Sequence, residues 1–121
     1  MKVLVLEDDF QMLKGAFDYL SLKYYGGELI VENYSKTQDF LDIKNADSYD
    51  KIFVDISLHR KSEQDGYSFI NSLKPMLRNL QKVVIITGSD RVANKLTEQG
   101  ITDIKILKKP ITFVDLKTVM P

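Results

Sequence analysis

Lys51-Ile52-Phe53-Val54-Asp55-Ile56-Ser57-Leu58 is an apolar run that closes on a carboxylate. Ile52, Phe53 and Val54 leave no room for a solvated face, so the stretch predicts a strand buried on both sides, as in parallel sheets. A strand of that kind delivers its last polar side chain to the carboxyl edge of the sheet, where open α/β folds place their sites. Asp55 is therefore the first candidate, and the flanking chain shows which other groups reach the same edge.

Upstream, Val3 to Leu6 is a continuous apolar run that stops at Glu7-Asp8-Asp9, followed by a helical pattern with Leu13, Ala16, Phe17, Leu20 and Tyr24 on one face. Gly26-Gly27 ends that helix, and Leu29 to Tyr34 reads as a second strand with a polar end, as expected near a sheet edge. Ser35 and Gln38 have capping-box spacing and predict a short helix with Thr37, Phe40, Leu41 and Lys44 along one side. Asn45 to Asp50 is a polar connection.

Downstream of Asp55 the polar loop Ser57 to Gln64 precedes Asp65-Gly66, which opens a helix with Phe69, Ile70, Leu73 and Leu77 inward; Pro75 should end or kink it near Lys74. Lys82 to Thr87 is again a buried strand closing on a polar residue, with Gly88-Ser89-Asp90 as turn and cap for a helix through Ala93 and Leu96, stopped by Gly100. A fifth strand is expected from about Thr102 to Leu107, then Lys108-Lys109-Pro110 and a last helix of little more than two turns from Thr112 to Met120. Strands alternating with helices call for a doubly wound α/β fold, with parallel strands, right-handed crossovers and helices on both faces. Glu7, Asp8, Asp55, Thr87 and Lys109 then converge on one edge.

Composition bounds the function. The 121 residues suit one domain spanning 1–121. Seventeen basic residues balance seventeen acidic ones without long runs, which argues against nucleic-acid binding. Cysteine is absent from the sequence, so disulfides, thiolate zinc sites and cysteine nucleophiles are excluded. The first apolar run is too short for a signal peptide core or a transmembrane helix, and a cytoplasmic protein is expected.

Clustered carboxylates repel one another unless a cation sits among them, and an all-oxygen Glu/Asp set suits Mg²⁺ better than zinc. An aspartate beside such a metal can act as a nucleophile toward phosphorus, and the transfer then needs an ammonium and a hydroxyl on the phosphoryl oxygens. Lys109 and Thr87 fit those roles. Taken singly the residues have plainer readings: helix capping for Glu7, Asp8 and Asp9, a turn for Asp55, a strand terminus for Thr87, a solvated lysine for Lys109.

Glu7-Asp8, Asp55, Thr87 and Lys109-Pro110, each at the right strand end and in the right order, make the chain resemble the receiver domain of bacterial two-component response regulators over essentially its whole length. The resemblance implies a flavodoxin-like sheet of order 2-1-3-4-5. It implies that Asp55 accepts a phosphoryl group from the histidine of a sensor histidine kinase or phosphotransfer protein. It also implies that Asp8 and Asp55 bind Mg²⁺ (or Mn²⁺) directly, with Glu7 acting through water and the backbone carbonyl of Ser57 completing the site. Thr87 contacts the phosphoryl group and switches, Lys109 pairs with it, and Ser57 and Ser89 occupy positions that tune the lifetime of the phosphorylated state. The Lys109-Pro110 peptide is expected to be cis. The output is a downstream protein target or an effector domain beyond this chain, from a monomer or weak homodimer whose only catalysis is its own phosphorylation and dephosphorylation.

The sequence departs from that pattern in three places. Ile106 replaces the usual aromatic switch residue, the loop after Asp55 is longer than usual with His59, expected to be an exposed loop residue, where proline is frequent, and the last helix is short. These departures keep a second expectation in view, a receiver-like interaction module independent of phosphorylation. A third, a Mg-dependent phosphohydrolase, would want a second acid where Ser57 stands.

Overall fold

The structure is a computed structural model that describes residues 1–58, 60–101 and 103–121. His59 and the expected start of the fifth strand at Thr102 lie outside the described residues. Strands β1 (Lys2–Leu6), β2 (Ile30–Tyr34), β3 (Lys51–Asp55), β4 (Val83–Thr87) and β5 (Lys105–Lys108) form a parallel sheet in the order β2-β1-β3-β4-β5. From β1 the chain winds outward to β2, then crosses back to β3 and runs the other way, so the crevice at the ends of β1 and β3 is the topological switch point.

Helices α1 (Gln11–Tyr24) and α4 (Phe113–Val119) cover one face of the sheet, and α2 (Gly66–Leu73) and α3 (Val92–Glu98) cover the other. Alternation along each strand divides the core accordingly. Val3, Val5, Phe53, Val84 and Ile86 meet Leu13, Phe17, Leu20 and Leu116, whereas Leu4, Leu6, Ile52, Val54 and Ile85 meet Phe69, Ile70, Leu73, Val92 and Leu96. Phe17 stands edge-on to Phe53 with ring centroids 5.4 Å apart, which ties the middle of α1 to the strand that ends in Asp55. Fully burying a side chain of that size stabilises by about 1.5–3 kcal/mol. Among the described residues no helix is long and apolar enough to cross a membrane.

Several boundaries and faces differ from the sequence reading. In α1, Ser21 rather than Tyr24 completes the buried face, because its hydroxyl accepts from Leu29 N (3.1 Å) and anchors the chain entering β2; Tyr24 is 43% exposed. The helix expected after β2 is replaced by two 3-10 segments, Thr37–Asp39 and Ile43–Ser48. The Ser35/Gln38 capping box does not form; Lys36 is the N-cap without a side-chain bond, Thr37 and Phe40 are buried, and Leu41 and Lys44 face solvent. The cause is tertiary. Gln38 Nε2 donates to Lys61 O (2.8 Å), Gln38 Oε1 accepts from Glu63 N (2.9 Å), and Thr37 N donates to Ser62 Oγ (3.0 Å). These bonds spend on the β3–α2 loop the groups a helix would have kept.

Helix α2 ends at Leu73 and passes into a 3-10 turn containing Pro75, as the ring requires. Asp90 does not cap α3: Arg91 holds the N-cap position, Ser89 Oγ accepts from Arg91 N (3.2 Å), and Asp90 instead pairs with Lys108 at the end of β5. Helix α4 is short, with a capping box between Thr112 and Asp115.

Candidate functional site

β1, β3 and β4 are buried apolar strands in register, with Leu6 opposite Val54 and Asp55 opposite Ile86, so the residues that follow them emerge side by side. Glu7, Asp8 and Asp55 each offer a carboxylate oxygen, and these oxygens lie within 4.8 Å of one another. Glu7 and Asp55 are buried, while Asp8 is exposed at the mouth of the crevice. Lys109 reaches in from beyond β5, and its Nζ donates to Asp55 Oδ2 (2.8 Å) and to Glu7 Oε1 (3.0 Å) and Oε2 (3.1 Å). The other Asp55 oxygen, Oδ1, accepts from Ser57 N (2.9 Å), and Glu7 Oε1 also accepts from Asp9 N (3.2 Å).

Burial is the main reason that the Glu7 carboxyl is pushed up to about 7, and the adjacent Asp55 adds to it by hydrogen bond and by charge, while Lys109 opposes. Burial alone would lower the Lys109 ammonium; the hydrogen bonds and charges of Asp55 and Glu7 outweigh it and hold the group above the ordinary lysine value. One fixed cation therefore serves two carboxylates beside a third, a donor set of oxygens that suits a hard divalent cation.

Thr87 closes β4 and is buried; its Oγ1 accepts from Ser89 N (3.0 Å), and its carbonyl accepts from Lys109 N (2.7 Å), which sets the start of the lysine's path. The Lys109-Pro110 peptide is cis. The structure thus gathers Glu7, Asp8, Asp55, Ser57 and Lys109 in direct contact or within the carboxylate cluster, with Thr87 at the next strand end. Ser89 is exposed in the β4–α3 turn, and Ile106 lies lower in the sheet, opposite Ile85 and half-buried against the core beneath α3. The acidic run does not cap α1, whose N-cap is Phe10 with no side-chain bond and whose first turn carries no acid.

Two supporting residues escaped the sequence reading. A Cβ on Gly66 would stand 2.5 Å from the Asp55 carbonyl oxygen and 2.6 Å from Ile56 Cα, so only glycine lets α2 begin pressed against the end of β3. The Asp65-Gly66 pair marked a helix start, and nothing in sequence announced this approach. Asn33 of β2 sends its side-chain amide onto β1, with no signal beyond a polar residue near a strand end.

No protein-family model matches the chain, and no curated protein matches it in sequence. Solved structures do. A CheY-like receiver domain from Methylobacillus flagellatus superimposes with a TM-score of 0.69 at 22% identity, covering 98% of this chain and 94% of that one. The receiver domain of the Francisella response regulator 1452 gives 0.65 at 25% identity, covering 98% and 92%. NtrX from Brucella abortus gives 0.72 at 19% identity, and there this chain spans only 25% of the larger protein. The solved structures that this chain resembles over nearly its whole length are CheY-like response regulator receiver domains, and theirs is the fold it has.

Proposed function

We propose that this chain is the phosphoacceptor receiver of a two-component system. A carboxylate oxygen of Asp55 attacks the phosphorus of a phosphohistidine on a sensor histidine kinase or phosphotransfer protein. The P–N bond breaks with its electron pair passing to the imidazole nitrogen, and an acyl phosphate forms on Asp55. Lys109 shifts from Asp55 Oδ2 to a phosphoryl oxygen, Thr87 offers its hydroxyl to another, and backbone N–H groups of the neighbouring turns complete the cradle. Asp8 and Asp55 would hold Mg²⁺ or Mn²⁺ directly, Glu7 through water, with the Ser57 carbonyl as a further ligand. The ion would supply positive charge on the phosphoryl oxygens. Ser57 and Ser89 flank the site where they tune how long the phosphate persists.

The dianion added at Asp55 draws Thr87 and Lys109 inward and biases the surface formed by the β4–α3 turn and β5, where a downstream protein or effector domain reads it. The chain then works in the cytoplasm and turns over nothing beyond its own phosphate. The observation that carries this reading is the Lys109 ammonium set between buried Asp55 and Glu7 beside Asp8. A phosphorylation-independent interaction module is the second reading, favoured by Ile106, which gives Thr87 no ring to release.

The test is intact mass after incubation with Mg²⁺ and acetyl phosphate, beside Asp55→Asn. One phosphoryl group that requires both Mg²⁺ and Asp55 is the expected result. Addition retained in Asp55→Asn would overturn the site, and absence of any addition despite Mg²⁺ binding would favour the second reading.

A further inference from the structure

We propose that Asn33 is a positioning residue for the Glu7–Asp8 carboxylate pair, an inference that rests on the receiver reading above. Asn33 sits on the edge strand β2 in register with Val5, and by alternation it shares the face of Val31, which packs toward α1. Asparagine is disfavoured in strands, and a β-branched residue would pack better on that face. Departures from local preference cluster where a side chain has another task.

Its two amide hydrogens have identifiable acceptors. Asn33 Nδ2 donates to Val5 O (3.1 Å) and to Glu7 O (2.9 Å). The β1–β2 register ends at Leu6 opposite Tyr34, so Glu7 stands one step beyond it, where Glu7 N still donates to Tyr34 O (3.1 Å). Asn33 supplies the next bond from a side chain. The carbonyl it holds belongs to the peptide that joins Glu7 to Asp8. Fixing that plane sets the direction in which the chain leaves β1, and with it where the Asp8 carboxylate meets those of Glu7 and Asp55. Asp8 is exposed in a turn. Groups one step removed from a metal's ligands commonly control its affinity by fixing them.

The test is a Mg²⁺ titration of the full chain followed by amide NMR shifts, for the native protein, Asn33→Leu and Asn33→Ser. Thermal midpoints without Mg²⁺ and acetyl-phosphate rates at rising Mg²⁺ accompany it. Asn33→Leu keeps the shape and removes both donors; its Mg²⁺ affinity should fall about tenfold. Excess Mg²⁺ should restore its phosphorylation rate, and Asn33→Ser, with one donor left, should fall between. A lowered midpoint with unchanged Mg²⁺ affinity would mean that Asn33 only holds β2 in place, and would overturn the proposal. If Asn33→Leu does not fold, Asn33→Ser decides between the same two outcomes. Native protein that binds no Mg²⁺ would overturn the receiver reading and this role with it; native binding matched by both variants would overturn the role of Asn33 alone.

Discussion

Lys109 Nζ lies 2.8 Å from Asp55 Oδ2 although β4 stands between β3, which ends in Asp55, and β5, which Lys109 directly follows. The lysine spans a whole strand, and it can do so because the Thr87 carbonyl holds Lys109 N directly above the end of β4. Removing it leaves two buried carboxylates facing each other. Lys109→Ala is expected to lose on the order of 1–3 kcal/mol at pH 8, the scale of an orphaned charged hydrogen bond, and less at pH 5. Urea unfolding at the two pH values measures this. The variant should still bind Mg²⁺ while its acetyl-phosphate rate falls at least tenfold, consistent with loss of one charge-stabilising donor.

The Glu7 carboxyl gives the site a pH dependence with a definite sign. It ionises near 4.5 in an unperturbed chain and near 7 in the folded protein, so between those values the folded state holds a proton that the unfolded state has released. The stability from that proton is complete below about pH 4.5 and is lost as pH rises through 7. Metal-free protein should therefore be less stable at pH 8 than at pH 5, and Glu7→Gln should flatten the profile. On the proposed reading Mg²⁺ would displace the proton, so its affinity should fall from pH 8 to pH 6, by up to roughly tenfold per unit below the midpoint. Chemical denaturation and a Mg²⁺ titration across that range check both slopes.

Two glycines should respond in opposite directions to alanine. Gly66→Ala forces a methyl group against the Asp55 carbonyl and the Ile56 backbone, and should cost about 1–3 kcal/mol as an overpacked contact while disturbing phosphorylation. Gly15 lies inside α1 with nothing within 4 Å of a Cβ. Gly15→Ala should stabilise by about 0.5–1 kcal/mol through helix propensity alone. Denaturation midpoints of the two variants give both numbers.

The β3–α2 loop is held by Gln38, whose side chain bonds both Lys61 O and Glu63 N. Gln38→Ala should raise amide exchange at Glu63 at least several-fold while leaving the sheet protected, since one neutral hydrogen bond is worth about 1 kcal/mol. Residue-resolved hydrogen exchange distinguishes this local release from global unfolding.

What the sequence made legible follows from burial. β1, β3 and β4 have continuous apolar runs (residues 3–6, 52–54 and 83–86) because helices cover both faces, and a parallel sheet sends every carboxyl end to one edge, so Glu7, Asp8, Asp55, Thr87 and Lys109 could be placed there from order alone. The segment after β2 departs from its local signal because its structure is decided by partners distant in sequence: the Thr37 N–H and hydroxyl and the Gln38 side chain all bond to residues 61–64. Asp90 looked like a cap for the same reason, since its pairing with Lys108 depends on β5 lying beside β4. Asn33 and Gly66 act through backbone atoms of other strands and loops, and such contacts leave no periodicity to read.

Glu7 and Lys109 are 102 positions apart, yet their side chains share one bond network. A site closed by the first and last strands exists only when the intervening topology is complete. Its occupancy is thus thermodynamically coupled to folding of the whole sheet rather than to a local loop. Any ion or phosphoryl group that prefers this crevice will shift the global melting transition, so a simple thermal scan with and without ligand reports on the site from anywhere in the molecule.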